Sequence, residues 1–118
     1  LKANSHPQIL ALFKKNGIGV DVVSGGEMNW ALQHGFEPSD IIFSGVGKSK
    51  TEIRQAIEHD IYQINVESLS EVARIGEIAT QLQKKVRLGI RLNPNIKVDT
   101  HPYITTGFRE NKFGIPEE

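Results

Sequence analysis

The 118 residues suffice for one small domain, and a hydrophobic share of 38% supplies one core rather than two. Lys and Arg number 14 against 14 for Asp and Glu, so no net field exists to gather nucleic acid or an anionic membrane surface. The lack of cysteine excludes a disulfide frame, a thiolate nucleophile and a Cys-ligated metal within these residues, and it suits a reducing, cytoplasmic setting.

No apolar run approaches the roughly 18 residues of a membrane span, and the first residues lack the basic-then-apolar order of a secretion signal. The abrupt start at Leu1-Lys2-Ala3-Asn4 and the stop at Ile115-Pro116-Glu117-Glu118, without an initiator methionine, make residues 1–118 an expected piece of a longer chain.

In chain order, Leu1-Lys2-Ala3 has the character of a strand's last residues. A Ser followed three residues on by Glu or Gln then recurs as Ser5/Gln8, Ser24/Glu27, Ser49/Glu52 and Ser68/Glu71. Each pair fits a capping box, in which the Ser oxygen accepts from the third helical N–H and the longer side chain reaches back to the cap's own N–H. Helical spacing follows every start: Ile9/Leu12/Phe13, Met28/Ala31/Leu32, Ile53/Ala56/Ile57 and Val72/Ile75/Ala79/Leu82. These faces are expected to be buried, Met28 and Trp30 with them.

Between the helices lie short β-branched runs at Val20–Val23, Ile41–Phe43, Ile61–Val66 and Val86–Leu92. Strict alternation of strand and helix predicts a parallel sheet, because each crossover returns the chain to the same end. Gln63, Asn65 and Arg91 interrupt strands that would be apolar on both faces if helices covered both. A barrel interior near its mouth holds such groups, which favours an α/β fold of the (β/α)8 type, represented here by about its first five units.

Parallel barrels carry their chemistry at the carboxyl ends of the strands. Those ends hold Lys2, then Asp21 and Ser24, Ser44 and Lys48, Asn65 and Glu67, and Arg91 and Asn93. A lysine shielded at a strand end sheds its proton more readily than one in water and can condense with an aldehyde. Asp21 on the neighbouring strand is a candidate ion partner whenever that amine is free. Spacing alone leaves a second reading open, in which Lys2 is a solvated side chain near a chain end.

Gly47-Lys48-Ser49 ends like a phosphate-binding P-loop, but the required first glycine falls at Ile42 inside a strand. Gly17-Ile18-Gly19 and Gly45-Val46-Gly47 begin like a dinucleotide fingerprint, yet Val22 and Lys50 stand where the third glycine belongs. His6, His34, His59 and His101 lack the paired spacing of metal ligands; His6 reads as a first-turn residue and His34 and His59 as last-turn residues facing a helix dipole.

Leu1-Lys2-Ala3-Asn4 resembles the Lys-Ala-Asn segment of the alanine-racemase-like, pyridoxal-phosphate-dependent decarboxylases. Asp21-Val22-Val23-Ser24-Gly25-Gly26-Glu27, Phe43-Ser44-Gly45-Val46-Gly47-Lys48, Ile64-Asn65-Val66-Glu67-Ser68 and Arg91-Leu92-Asn93-Pro94 resemble the diaminopimelate decarboxylase branch of that family. So does the tail, His101-Pro102-Tyr103-Ile104-Thr105-Thr106-Gly107 followed by Asn111-Lys112-Phe113-Gly114-Ile115. The resemblance runs over essentially the whole chain, and the tail is its narrowest part.

This likeness implies a (β/α)8 barrel in which Lys2 carries pyridoxal 5'-phosphate, Asp21 sits near that lysine and Arg91 projects towards the cofactor ring. It implies decarboxylation of meso-2,6-diaminopimelate to L-lysine by a homodimer, with no metal. Ornithine, arginine and carboxynorspermidine decarboxylases of the same fold are the alternatives, as is a catalytically silent relative that serves as a binding protein. In the family a ring-stacking histidine, a glycine-rich phosphate loop, a glutamate facing the pyridine nitrogen and a C-terminal β domain follow the region corresponding to residues 1–118.

Overall fold

The structure is a computed structural model that describes residues 1–94 and 114–116. Helix α1 (Pro7–Lys15) leads into β1 (Val20–Val22), α2 (Gly25–Gln33), a 3-10 turn (Pro38–Asp40), β2 (Ile41–Phe43), α3 (Lys50–Glu58), β3 (Gln63–Val66), α4 (Leu69–Gln81) and β4 (Leu88–Ile90). These four strands form one sheet in the order β1-β2-β3-β4, and every pairing is parallel. Strand order that follows chain order, with no reversal, is the arrangement of a barrel wall rather than of a doubly wound sheet. Two further strands, β5 (Leu92–Asn93) and β6 (Ile115–Pro116), make a separate parallel pair.

Side chains alternate across the sheet as the pleat requires. One face carries Val20, Val22, Ile41, Phe43, Ile64 and Val66, all buried against Met28 and Ala31 of α2, Ile53, Ala56 and Ile57 of α3, and Ile75 and Ile78 of α4. Each fully buried aliphatic or aromatic side chain contributes about 1.5–3 kcal/mol by leaving water, so this face holds the fold together. The opposite face presents Asp21, Gln63, Asn65 and Gly89, brought side by side by the pairings Asp21↔Ile42↔Gln63 and Asn65↔Gly89. A sheet with helices on one face and polar groups on the other is the inner and outer surface of part of a (β/α)8 barrel.

The helix starts depart from the predicted capping boxes in three of four cases. Only Ser49 and Glu52 form the reciprocal pair. Ser24 and Ser68 do cap α2 and α4, but Glu27 and Glu71 accept from the N–H of Val23 and Glu67, one residue before the cap. Both caps are strongly extended, near φ −150°, which brings the preceding N–H within reach of the carboxylate. At α1 the cap is His6 rather than Ser5, its ring nitrogen accepting from Gln8 N while Asn4 accepts from His6 N. Pro7 at the first helical position fixes that start one residue later than the Ser/Gln spacing implies.

Other elements shift as well. Leu1-Lys2-Ala3 is not a strand, although the Leu1 nitrogen donates to Asp21 O at 3.0 Å and so lies beside β1. The predicted strand at Val86–Leu92 is split, because the chain leaves the sheet at Arg91 and pairs again only at Leu92. In α1 the buried residue is Leu10, whereas Leu12 and Phe13 are exposed. Met28 is buried as expected, but Trp30 lies at the surface, donating from its indole nitrogen to Ser5 O and packing against the His34 ring. His34 and His59 are the C-terminal caps of α2 and α3. His101 and the tail 101–107 with 111–113 lie outside the described residues.

Candidate functional site

Carboxyl ends of parallel strands converge by construction, and the side chains that project from the inner face there surround one opening. Lys2, Asp21, Val23, Ser44, Gly45, Val46 and Arg91 line a cavity of about 450 Å3. A second cavity of about 430 Å3 shares Asp21, Ser44 and Arg91 with the first and continues down the inner face past Gln63, Asn65, Glu67 and Gly89. All three residues predicted to carry the chemistry, Lys2, Asp21 and Arg91, therefore border one space.

Lys2 is exposed rather than shielded, standing at the edge of the cavity it borders. No ion pair among those residues joins Lys2 to Asp21, and the two groups share the cavity rim without a direct contact. Arg91 instead meets Glu67, its Nη1 donating to Oε1 at 3.2 Å and to Oε2 at 3.4 Å. Register explains the meeting: Val66 pairs with Ile90, so the next residue on each strand places Glu67 against Arg91. Opposite charges at successive ends of neighbouring strands were a signal available in the sequence, and it is not among the predicted partnerships.

The floor of the opening is a hydrogen-bonded row. Gln63 Nε2 donates to Asn65 Oδ1 at 2.7 Å, and Asn65 Nδ2 donates to Ser44 Oγ at 2.9 Å. Gly89 makes that row possible, because a Cβ there would collide with Asn65 Oδ1 and Gln63 Nε2. The loop after β2 is fixed by a positive φ of 97° at Gly45, a conformation that favours glycine, which lets the chain turn over Val23 at the rim.

Lys48 does not join the mouth. It is 3% exposed, and its Nζ donates to Gly45 O at 2.7 Å, to Asn65 O at 2.6 Å and to Glu71 Oε1 at 3.0 Å. The run Gly47-Lys48-Ser49 thus ends in a buried cross-link between the β2–α3 loop, β3 and α4. Sequence position alone placed the lysine among the polar groups of the rim; the turn at Gly47 and the start of α3 direct it behind the sheet end instead. Glu52 binds the N–H of Gly25 and of Ser49, and these backbone donors hold its carboxyl below the usual value of 4.5.

The family described as pyridoxal-dependent decarboxylase, pyridoxal binding domain, matches residues 1–118. The chain belongs to this family. Members bind pyridoxal phosphate, and the groups around the opening suit it: an exposed primary amine for the aldehyde, a carboxylate and a guanidinium beside it, and an inner face cleared by Gly89. The diaminopimelate decarboxylase of Helicobacter pylori strain J99 is 52% identical over 118 residues, all of this chain and 29% of that protein. The crystal structure of diaminopimelate decarboxylase from Helicobacter pylori complexed with L-lysine superposes with a TM-score of 0.89 at 50% identity, covering 96% of this chain and 29% of that one. The crystal structure of diaminopimelate decarboxylase from M. jannaschii in co-complex with L-lysine gives a TM-score of 0.83 at 41% identity, over 97% of this chain and 26% of its own. The chain thus spans somewhat under a third of the length of these relatives. Among the described residues of this pyridoxal-binding domain, no helix is long and apolar enough to cross a membrane.

Proposed function

We propose that residues 1–118 are the front part of the pyridoxal-binding barrel of a longer decarboxylase, with the rest of the barrel and a C-terminal β domain following. The whole protein converts meso-2,6-diaminopimelate to L-lysine and carbon dioxide. The observation that carries this reading is the exposed Lys2 amine on the rim of a cavity it shares with Asp21 and Arg91, in a chain so similar throughout to diaminopimelate decarboxylases. Likeness to two diaminopimelate decarboxylases crystallised with L-lysine supports the substrate class.

Pyridoxal phosphate supplies, when bound, a conjugated ring that takes up the electron pair left as carbon dioxide departs. Lys2 would hold the cofactor at its aldehyde through Nζ. Asp21 borders the same cavity as Lys2 and would be the carboxylate nearest the amine in chain order of the strands. Arg91, which borders the same cavity and is bonded to Glu67, would offer its fixed positive charge to anionic oxygen of the bound cofactor or substrate. The protein acts in the cytoplasm as a homodimer.

The decisive assay offers the full-length protein meso-2,6-diaminopimelate and L-ornithine in parallel and follows carbon dioxide release. A higher kcat/KM on meso-2,6-diaminopimelate is expected. Preference for ornithine would overturn the assignment, and no turnover of either, despite bound cofactor, would favour a silent binding protein.

A further inference from the structure

We propose that Glu67 is the positioning residue for Arg91: its carboxylate, little exposed and carried on a backbone that Glu71 holds at the N–H, sets where the guanidinium stands over the opening. The functional consequence rests on the reading of Arg91 given above, whereas the geometry stands independently of it.

The two side chains differ sharply in freedom. Glu67 is 9% exposed at its side chain and Arg91 45%, so the carboxylate is the fixed member and the guanidinium the one that reaches out. Glu67 is held at its backbone as well. Its N–H donates to Glu71 Oε2 at 2.8 Å, and the other oxygen of Glu71 takes Lys48 Nζ at 3.0 Å. Lys48 also grips the carbonyls of Asn65 and Gly45, and Arg74 Nη1 reaches Lys48 O at 3.4 Å. A continuous series of charge-assisted bonds therefore runs from the first turn of α4 to the guanidinium at the mouth. A mobile Arg carries about 2 kcal/mol of side-chain rotamer entropy, so an immobile acceptor is what gives it one pose. With Arg91 this exposed, water screens the pair and it adds little to cohesion. This pair is placed instead on the inner face: both residues line the 430 Å3 cavity, and Arg91 also lines the neighbouring one that Lys2 borders.

Two readouts on the full-length protein test the proposal. In the cofactor-free protein, phenylglyoxal modification of Arg91, followed by peptide mapping, is expected to run faster in Glu67→Gln than in the wild type, since the charged acceptor that holds Nη1 is gone. An unchanged rate would overturn the proposal. In the second readout, titration with pyridoxal 5'-phosphate gives the cofactor Kd for wild type, Glu67→Gln, Arg91→Ala and the double variant. Glu67→Gln is expected to weaken binding by about tenfold when Arg91 is present, and by under about twofold once Arg91 is Ala, because the effect passes through Arg91. Equal losses in both backgrounds would identify a merely structural carboxylate and overturn the proposal. Should Glu67→Gln fold poorly, Glu67→Asp, which keeps the charge and shortens the reach, takes its place in both readouts. A wild-type protein that binds no pyridoxal phosphate would refute the functional reading, while the modification rate would still decide whether Glu67 positions Arg91.

Discussion

Replacing Lys48 with Met removes a buried cation from three acceptors at once. Its Nζ lies 3.0 Å or closer to Glu71 Oε1, Gly45 O and Asn65 O, and the side chain is only 3% exposed, so water cannot substitute. Glu71, itself 6% exposed, would keep Glu67 N as a partner for one oxygen but lose the charge that balances it. Orphaning one member of a buried ion pair costs about 3–5 kcal/mol, and that term dominates the loss of two carbonyl contacts at about 1 kcal/mol each. Neutralising the orphan should restore much of the loss. Lys48→Met with Glu71→Gln should therefore be less destabilised than Lys48→Met alone, with a coupling of about 2 kcal/mol. Urea unfolding of the full-length protein, followed by far-ultraviolet circular dichroism, measures both quantities. A Lys48→Met protein within about 1 kcal/mol of wild type would refute the view that this lysine cross-links the strand ends, as would strict additivity in the double variant.

Gly89→Ala places a Cβ against Asn65 Oδ1 and Gln63 Nε2, and forced overpacking of this kind costs about 1–3 kcal/mol, measurable as a shift in the urea midpoint. Glu52→Gln tests a pH dependence with a definite sign. The folded-state carboxyl lies below its ordinary 4.5, so wild type should exceed the variant by about 1 kcal/mol at neutral pH. That advantage is fully present above pH 4.5 and should disappear as pH falls through the lowered value, in unfolding curves recorded from neutral to acid. Gln83 is exposed and holds a φ of 54°, so Gln83→Gly should stabilise by about 0.5–1 kcal/mol in the same unfolding experiment.

Much of the architecture was legible because period and position carry it. Alternation of β-branched runs with Ser-capped helical spacing gave the parallel sheet, and Gln63, Asn65 and Arg91 within those runs marked a polar inner face. Local hydrogen bonding was less accessible. Ser24 and Ser68 announce their helices, but whether Glu27 and Glu71 bond the cap or the residue before it depends on the backbone angles at the cap, which residue spacing does not specify. Lys48 shows a second limit: proximity to a strand end in sequence does not say whether a side chain enters the mouth or turns behind it. The partner of Arg91 is half legible: the opposite charge at the neighbouring strand end stands in the sequence, but its register does not. Glu67 faces it only when the strands pair Val66 with Ile90, and register is a property of two strands together. At Lys2 spacing by itself leaned towards a solvated side chain near a chain end, and the motif resemblance is what turned the expectation to a cofactor-bearing lysine.

The most direct test of the account is the identity of the lysine that carries the cofactor. Borohydride reduction of the full-length protein loaded with pyridoxal 5'-phosphate, then proteolysis and mass spectrometry, should locate the pyridoxyl group on Lys2. A reduced, labelled protein in which Lys2 is unmodified and another lysine bears the group would contradict it.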